Sequence, residues 1–452
     1  MNLYRSIIKI TLGLAFMAVF LSCEEEVQNP GFESDDIPRI FGWEQIYGVD
    51  IEDSLYINVQ VSPSDGVTYS WQLDGEEIST DPNLKYKFED PSTYEVHLAI
   101  MRNGVPNTRT ATVEVNKPFV PKEYNKKMVG FLTSAGSLAD VDFSNLTHLV
   151  ISYAIVDEVA YPETIVDTTF AKDMNVPQIV QSAHNAGVYV MLDVTDNMAA
   201  INGGGLYGDL TFYEAISDAD KRAKVISTVV KFAVDNQLDG INFYLNNTWG
   251  GPGSLDPDIL SAFFSEVPDY LPAGPGPDGE FFYTASVPGG WTTSVLSPLA
   301  AVERIDWVNI QPYRYENLSP TSHSPGWAFG DLAATWIGLG MPAEKIVGGF
   351  PAFGLKYDMP TDGTAVTWGN LWMYATYHSF KEILTMDAEA HTKSMLDVDD
   401  GLYYDGHATI QEKANVVLDQ GFGGMMMWSI ESDTKDQEKS LLNAAYDALG
   451  NN

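Results

Sequence analysis

The sequence predicts an α/β protein, a (β/α)8 TIM barrel preceded by an immunoglobulin-like β-sandwich. In residues 128–450, short apolar runs alternate with amphipathic helical segments, a rhythm typical of a parallel sheet, and eight such units fit a barrel. In residues 38–116, short alternating runs are separated by turn signals such as Asp74-Gly75 and Asn103-Gly104, as in a sandwich. The stretch 117–127 contains two prolines and is interpreted as a semi-rigid linker.

Residues 1–22 have the layout of a signal peptide, with Arg5 and Lys9 followed by an apolar run from residue 10 to residue 21. Cys23, the only cysteine of the chain, follows a small residue at the expected cleavage point. The segment therefore resembles a bacterial lipoprotein signal, and the resemblance implies that Cys23 is lipidated. An ordinary signal peptide with an incidental cysteine is the alternative.

Residues 23–37 are expected to form a flexible tether that begins with three glutamates, residues 24–26. Such an acidic start resembles the export tag that places some lipoproteins on the outer face of the outer membrane. The resemblance implies a lipid-anchored protein of the outer membrane, exposed at the cell surface.

The chain carries 62 acidic and 25 basic residues, a formal net charge of -37. A surface of this charge repels nucleic acid and polyanionic glycans, so neutral ligands are favoured and no nucleic-acid partner is expected. The seven histidines lack ligand spacing, so no metal site is expected either. The glycine-rich stretch 202–208 lacks the lysine of a phosphate loop, and we expect no cofactor.

The sandwich sequences YSWQLDGEEIS and YKFEDPSTYEVHLAI resemble a PKD-type module, with Trp71 as its core tryptophan and Tyr94 opening the next strand. A spacer that lifts the barrel off the membrane and an accessory carbohydrate-binding module are both compatible with this segment. The spacer is the preferred interpretation.

The predicted barrel strands are residues 128–133, 148–155, 188–193, 240–244, 281–287, 307–311, 345–350 and 424–429. A helix over residues 218–235, with Ser217 as its N-cap, is expected before the fourth strand. Residues 353–422 form a long insertion in which we expect a helix after Asn370 and a hairpin near residues 397–405. Trp368 and Trp372 either wall a cleft or pack this insertion onto the barrel.

The fourth strand, LDGINFYLNN at residues 238–247, is where a family resemblance becomes specific. It resembles glycoside hydrolase family 18, which includes chitinases and endo-β-N-acetylglucosaminidases and carries DxxDxDxE on this strand. The four motif positions are Asp239, Asn242, Tyr244 and Asn246 here, so only the first acid is retained. Asp239 is expected to support the strand rather than to touch sugar.

This departure from the motif has a chemical consequence. In the family, the final glutamate protonates the glycosidic oxygen, and the preceding aspartate orients the N-acetyl group of the substrate, which attacks the anomeric carbon. Asn246 has no titratable proton to deliver, and Tyr244 places a phenol where an anion is needed. We therefore expect no catalytic residue and no glycosidase activity.

Other strands keep the scaffold of the family. MLDVTDN replaces the SxGG of strand three. WVNIQPYRY stands at the MxYD-like pattern, so Gln311 replaces Met, Tyr313 is retained and Arg314 replaces Asp. The closing stretch retains Trp428, which by resemblance floors the subsite that holds an N-acetylglucosamine ring.

Ligands of such barrels bind at the carboxyl ends of the strands, where this chain places aromatic side chains beside amides. Aromatic rings stack on the apolar faces of sugars, and amides and phenols bind hydroxyl and N-acetyl groups. The predicted ligand-binding residues are Tyr244, Asn246, Trp249, Trp291, Gln311, Tyr313 and Trp428.

Together these observations predict a surface lipoprotein that captures N-acetylglucosamine-containing glycans, either N-glycans or chitooligosaccharides, for a neighbouring glycan-uptake transporter complex. One alternative is an active chitinase or endo-β-N-acetylglucosaminidase in which another carboxylate, such as Glu266 or Glu316, donates the proton. A second alternative is a scaffold that binds a partner protein and no sugar.

Overall fold

The computed structural model describes residues 37–117, 119–196, 211–244, 256–277, 279–287, 297–313, 318–367 and 370–451. The chain divides into two compact units between Pro118 and Phe119. The predicted signal segment, the tether and Cys23 lie outside the described residues. None of the described helices is long and apolar enough to cross a membrane.

The described residues of the N-terminal unit contain nine strands, which form a five-stranded sheet in the order β2-β9-β8-β5-β6 and two small pairs, β1-β4 and β3-β7. Their bounds are β1 Arg39–Phe41, β2 Ile46–Asp50, β3 Leu55–Ile57, β4 Gln60–Ser62, β5 Val67–Leu73, β6 Glu76–Ser79, β7 Leu84–Tyr86, β8 Thr93–Arg102 and β9 Val105–Asn116.

Trp71 lies at the centre of this unit and is fully buried. Its indole N–H donates a 2.8 Å hydrogen bond to the carbonyl oxygen of Asp81, so the one polar atom of the ring is satisfied in the core. Tyr94 lies in β8, and its hydroxyl donates to the carbonyl of Asp90 at 2.9 Å. The predicted sandwich, including its core tryptophan, is confirmed.

One predicted strand of the sandwich is divided in two. The run expected at residues 55–61 forms β3 and β4, which pair with different partners, β7 and β1. Between them, the backbone N–H of Val59 donates to the side chain of Asn83 at 3.0 Å instead of to a neighbouring strand. At this break the chain leaves the pair β3-β7 and enters the pair β1-β4.

The C-terminal unit is a closed barrel of eight parallel strands, as predicted. The strands are β10 Lys127–Leu132, β11 His148–Val156, β13 Tyr189–Asp196, β14 Gly240–Tyr244, β15 Phe282–Val287, β16 Trp307–Ile310, β17 Ile346–Pro351 and β22 Gly424–Trp428. Pairing of β10 with both β11 and β22 closes the barrel. A short strand, β12 Val166–Asp167, adds antiparallel to β11.

Helices surround the barrel: α1 Phe170–Met174, α2 Val176–Asn185, α3 Thr211–Ser217, α4 Ala219–Asp235, α5 Pro257–Glu266, α6 Gly326–Gly338, α8 His407–Gln420 and α9 Leu441–Ala448. The N-cap expected for α4 is wrong. Asp218, not Ser217, caps this helix, because its carboxylate accepts from the N–H groups of Asp220 and Lys221 at 3.0 Å each. Ser217 instead ends α3, and a charged acceptor at the helix N-terminus is also favoured by the helix dipole.

An insertion between β17 and β22 forms an antiparallel sheet in the order β19-β18-β21-β20. Its elements are β18 Phe353–Tyr357, β19 Ala375–Ser379, α7 Phe380–Met386, β20 Met395–Leu396 and β21 Leu402–Tyr403. The hairpin expected near residues 397–405 is present as β20 and β21. The helix expected after Asn370 is only a short 3-10 turn, Leu371–Met373, because the following residues pair with β18 instead.

Aromatic rings close the amino-terminal end of the barrel interior. The fully buried imidazole of His148 has its ring centroid 5.0 Å from those of Tyr189 and Trp307 and 5.3 Å from that of Phe282. Burial, with a smaller contribution from the nearby charge of Lys127, holds the pKa of His148 well below its usual value. The imidazole is therefore neutral at neutral pH.

Candidate functional site

A pocket of about 270 Å³ lies at the carboxyl ends of the barrel strands, where (β/α)8 barrels bind their ligands. Its walls are six aromatic side chains together with one amide and two hydroxyls: Tyr153, Tyr244, Tyr313, Phe353, Tyr377, Trp428, Gln311, Ser379 and Ser432. Among the described residues, none that lines the pocket carries a charge. The described part of the pocket therefore matches a neutral molecule rich in hydroxyl groups.

Tyr244 and Gln311 form the floor of the pocket, and they come from the ends of β14 and β16, which are separated by β15. Tyr244 is the last residue of β14, and its hydroxyl donates to Oε1 of Gln311 at 3.1 Å. Both side chains are nearly buried, at 6% and 5% exposure. Thr195 on β13 holds the backbone of Tyr244 by donating to its carbonyl at 2.9 Å. The phenol is thus fixed in place across the pocket floor.

Trp428 ends β22, and its indole forms one side of the pocket. Three aromatic rings surround it, with centroids 5.4 Å away for Phe131, 6.0 Å for Tyr153 and 6.1 Å for Tyr244. The indole is only partly buried, so part of it remains available to a ligand. An aromatic ring held this firmly can stack on a sugar face with little further loss of side-chain entropy.

Below the pocket floor, the barrel interior contains a buried polar network centred on Asn242. Its Nδ2 donates to Oδ1 of Asp193 at 2.7 Å and to the hydroxyl of Ser286 at 3.0 Å. Its Oδ1 accepts from the hydroxyl of Thr284 at 2.8 Å and from the amide of Asn309 at 3.2 Å. Every hydrogen-bonding group of the Asn242 amide is used inside the barrel, so this motif residue does not line the pocket.

Asp193 is the one carboxylate of this network and is fully buried. Burial raises its pKa to about 7, although hydrogen bonds from Asn242 and Ser152 oppose the shift. The hydroxyl of Ser152 donates to Oδ2 of Asp193 at 2.9 Å. Because Asp193 has no exposed surface, it cannot reach a ligand in the pocket.

Asp239, the retained acid of the motif, lies just before β14, at the end of the strand opposite to the pocket. Its Oδ2 accepts from the backbone N–H of Val190 at 2.7 Å and contacts Nε2 of His184 at 2.8 Å. These contacts join the start of β14 to β13 and α2.

Glu266, one of the two alternative acids, is the last residue of α5 on the helical layer. Its carboxylate is held by Arg222 through two hydrogen bonds of 2.8 Å and 2.6 Å. These bonds hold the pKa of Glu266 below its usual value. A general acid requires the opposite shift, so Glu266 is unsuited to the task.

Four of the predicted ligand residues meet in one pocket: Tyr244, Gln311, Tyr313 and Trp428. Three others, Asn246, Trp249 and Trp291, lie outside the described residues, as do Arg314, Glu316 and Trp368. Within the described ranges, no group of three or more His, Cys, Asp or Glu side chains is arranged to hold a metal ion.

Sequence reasoning missed five pocket residues. Tyr153 could have been found, because it lies near the end of a strongly apolar barrel strand, β11, where side chains reach the pocket. The others, Phe353, Tyr377, Ser379 and Ser432, belong to the insertion or follow the last strand. Their approach to the pocket depends on tertiary pairing, for which the local sequence gives no signal.

The fold and the position of the pocket define a (β/α)8-barrel protein with a pocket at the carboxyl ends of its strands. Residues 127–433, more than half of the chain, match the family model for glycosyl hydrolases family 18, and residues 42–102 match a PKD-like domain. The chain therefore belongs to glycosyl hydrolase family 18, and the PKD-type resemblance of the sandwich is confirmed.

Proteins that are similar to this chain in sequence or in structure are consistent with this family assignment. The chain is 24% identical over 368 residues to a class V chitinase from Arabidopsis thaliana, covering 70% of this chain and 88% of that protein. A chitinase from Bacteroides thetaiotaomicron has a TM-score of 0.56 at 20% identity, with 72% and 96% of the two chains covered. A chitinase-like agglutinin from Robinia pseudoacacia has a TM-score of 0.55 at 20% identity, with 71% and 99% covered.

Proposed function

We propose that this protein is a glycan-binding member of family 18 that captures neutral, N-acetylglucosamine-containing glycans and does not hydrolyse them. The observation that carries the proposal is the composition of the pocket wall. Its described residues combine aromatic rings with hydroxyl and amide groups and include no carboxylate. Such a wall suits sugar binding, and its described residues include no carboxylic acid that could protonate a leaving group.

The proposed loss of hydrolysis also rests on the aligned motif. Asn246 stands at the position of the acid, and Tyr244, at the position of its helper, is engaged with Gln311 across the pocket floor. Loss of a general acid alone lowers a rate by a factor of about 10² to 10⁴. A chitinase-like agglutinin with the same barrel fold supports a binding role for such a scaffold.

The proposed ligand class follows from relatives. A plant class V chitinase mutant from Cycas revoluta, with a TM-score of 0.55, is described in complex with (GlcNAc)3. Chitooligosaccharides and N-glycans both contain this sugar. A net charge of -37 further favours a neutral glycan over a sulfated or uronic-acid polymer.

We further propose that lipidation at Cys23 anchors the protein to the outer membrane, with the barrel exposed at the cell surface. The layout of residues 1–22 and the glutamates that follow Cys23 support this placement. A surface-anchored binding protein would raise the local glycan concentration for a neighbouring uptake transporter complex. The PKD-like sandwich would act as the spacer between the membrane and the barrel.

Calorimetric titration with chitooligosaccharides, high-mannose N-glycans and complex N-glycans tests the proposal, with cleavage assayed in the same mixtures. We expect saturable binding, with dissociation constants of about 1 μM to 1 mM, and intact glycan afterwards. Cleavage would mean that another acid, such as Glu316, has taken over proton donation. Absence of both signals would favour a protein-binding scaffold.

A further inference from the structure

A nearly buried carboxylate lies behind the pocket wall, in the segment that follows the last barrel strand. Glu431 is 8% exposed and belongs to the 3-10 turn Ile430–Ser432. It is not among the described residues that line the pocket, whereas its neighbour Ser432 is. Burial holds the pKa of the pocket residue Tyr153 well above its usual value, with smaller contributions from neighbouring phenols and from the charges of Asp193 and Glu431. Glu431 is therefore within electrostatic reach of the pocket.

Three hydrogen-bond donors converge on this carboxylate. The hydroxyl of Thr133 donates to Oε1 of Glu431 at 2.6 Å, and the hydroxyl of Ser429 donates to the same oxygen at 2.7 Å. The backbone N–H of Thr133 donates to Oε2 at 3.3 Å. Because a carboxylate can only accept hydrogen bonds, the protons of both hydroxyls are directed at Glu431.

The direction of these bonds fixes the direction of the next one. The hydroxyl oxygens of Ser429 and Ser432 are 3.3 Å apart, and their positions alone allow either to be the donor. A hydroxyl has one proton, and that of Ser429 is directed at Glu431, so Ser429 accepts and Ser432 donates in this contact. The oxygen of Ser432 is thereby left to accept a hydrogen bond from a ligand in the pocket.

We propose that Glu431 is a positioning residue that fixes Ser432 as a hydrogen-bond acceptor, so that the site selects a ligand with a hydroxyl or amide N–H donor at this wall. This inference rests on the proposed glycan-binding function and adds a requirement of polarity to it. A sugar hydroxyl or the N–H of an N-acetyl group meets the requirement, whereas an ether or carbonyl oxygen does not. Glu431 acts through the two serines and does not touch the ligand.

Glu431 also joins Thr133, which follows β10, to the segment after β22. Glu431→Gln separates this structural role from the positioning role, because the side chain keeps its shape but now carries an amide N–H2 group. When the amide oxygen accepts from the N–H of Thr133, the amide nitrogen donates to Ser429. The proton of Ser429 then turns toward Ser432, and the proton of Ser432 turns toward the pocket. The polarity of this wall is reversed while its shape is kept.

Calorimetric titration of the purified full chain with chitotetraose tests the inference on Glu431→Gln, Ser432→Ala and the double variant. Each single variant should weaken binding about 2- to 10-fold, as expected for one hydrogen bond. The double variant should bind no more weakly than Ser432→Ala, because the effect of Glu431 passes through the hydroxyl of Ser432. Asp306→Asn is the matched control and should keep the wild-type affinity. Its side chain is also 8% exposed and accepts from the N–H of Tyr283 at 2.7 Å, at the amino-terminal end of the barrel.

Ser429→Ala interrupts the same relay without changing the carboxylate, and it decides the question if Glu431→Gln lowers the melting temperature strongly. It removes the acceptor of the Ser432 proton, so it should also weaken chitotetraose binding, and only when Ser432 is present. Wild-type affinity in both Glu431→Gln and Ser429→Ala would overturn the inference while the glycan-binding function stands.

Two further results would also count against the inference. An equal loss from Glu431→Gln in the wild type and in Ser432→Ala would show that Glu431 does not act through Ser432. If the wild type binds neither chitotetraose nor any N-glycan, the proposed function fails and this inference fails with it.

Discussion

Asn242 on β14 donates a 2.7 Å hydrogen bond to Asp193 on β13, and the two residues are direct partners in the register of the parallel strands. The pair lies inside the barrel, one layer below Tyr244, with neither side chain exposed. It places one carboxylate and one amide in a space closed to solvent. The protonation state of Asp193 therefore affects stability rather than ligand contact.

Asp193→Asn should stabilise the protein more at pH 8 than at pH 5. The pKa of Asp193 is raised to about 7 in the folded state, well above the ordinary value of an aspartate, because burial disfavours the charged form. Asp193 therefore contributes fully to the free energy of unfolding at a pH below its pKa in the unfolded chain. This contribution is lost as the pH rises through its pKa in the folded protein. The free energy of unfolding of wild type relative to variant should fall by up to about 4 kcal/mol across this window. Urea denaturation at several pH values measures this, and a difference independent of pH would contradict a titrating Asp193.

His148→Phe should reduce the loss of stability in acid. Burial holds the pKa of His148 well below 6.5 in the folded state. Its contribution to stability is therefore complete above the unfolded pKa and is lost as the pH falls below it, because the unfolded chain binds the proton more readily. Phenylalanine can pack against the rings of Tyr189, Phe282 and Trp307, and its side chain has no group that takes up a proton in acid. Thermal unfolding at pH 7 and pH 5 should show a smaller shift for the variant than for wild type; equal shifts would refute the role of His148.

Trp428→Ala should strongly weaken glycan binding. The indole forms one side of the pocket and is surrounded by three rings, so its removal deletes the main stacking surface. A loss of about 10-fold or more in affinity is expected for a residue of this kind. Trp327→Ala is the matched control, because Trp327 is 64% exposed and does not line the pocket. If calorimetry gave the same glycan affinity for the two variants, Trp428 would not be part of the binding site.

Tyr244→Phe should lower the free energy of unfolding by about 1 to 3 kcal/mol, because it leaves the nearly buried Oε1 of Gln311 without its phenol donor. Tyr270→Phe, at an exposed tyrosine, should have no such effect. Chemical denaturation of both variants provides the comparison. A loss as small as that of the control would show that the contact between Tyr244 and Gln311 contributes nothing net.

Asn246→Glu alone should not restore hydrolysis of a chitooligosaccharide. The variant supplies a carboxyl group, but Tyr244 still occupies the floor beside Gln311, and no described residue of the pocket wall can orient an N-acetyl group as a carboxylate does. Turnover should stay at the level of Asn246→Gln, the matched amide control. Substantial product release by Asn246→Glu in a chromatographic assay would show that the missing acid is the only defect.

The barrel was predictable because its strands are near-continuous apolar runs at regular intervals. All eight strands are found, and β14 begins and ends at the predicted residues. The insertion was less predictable, since residues 375–379 form a strand only by pairing with β18, a tertiary contact without a local signal. For the same reason the contribution of Tyr377 to the pocket could not be inferred, whereas Trp428 and Tyr313 were found through the motifs of the family.

The closure of the barrel between β10 and β22 sets the order in which the site can assemble. Phe131, on the first barrel strand, lies opposite Trp428, on the last, and Asn125 and Asn451 are hydrogen-bonded near the two ends of this unit. Contacts so distant along the chain make folding slow and expose unpaired strand edges until they form. A nascent chain therefore has no complete pocket until its final strand has emerged, and a binding signal from Trp428 would report on completed folding of the whole barrel.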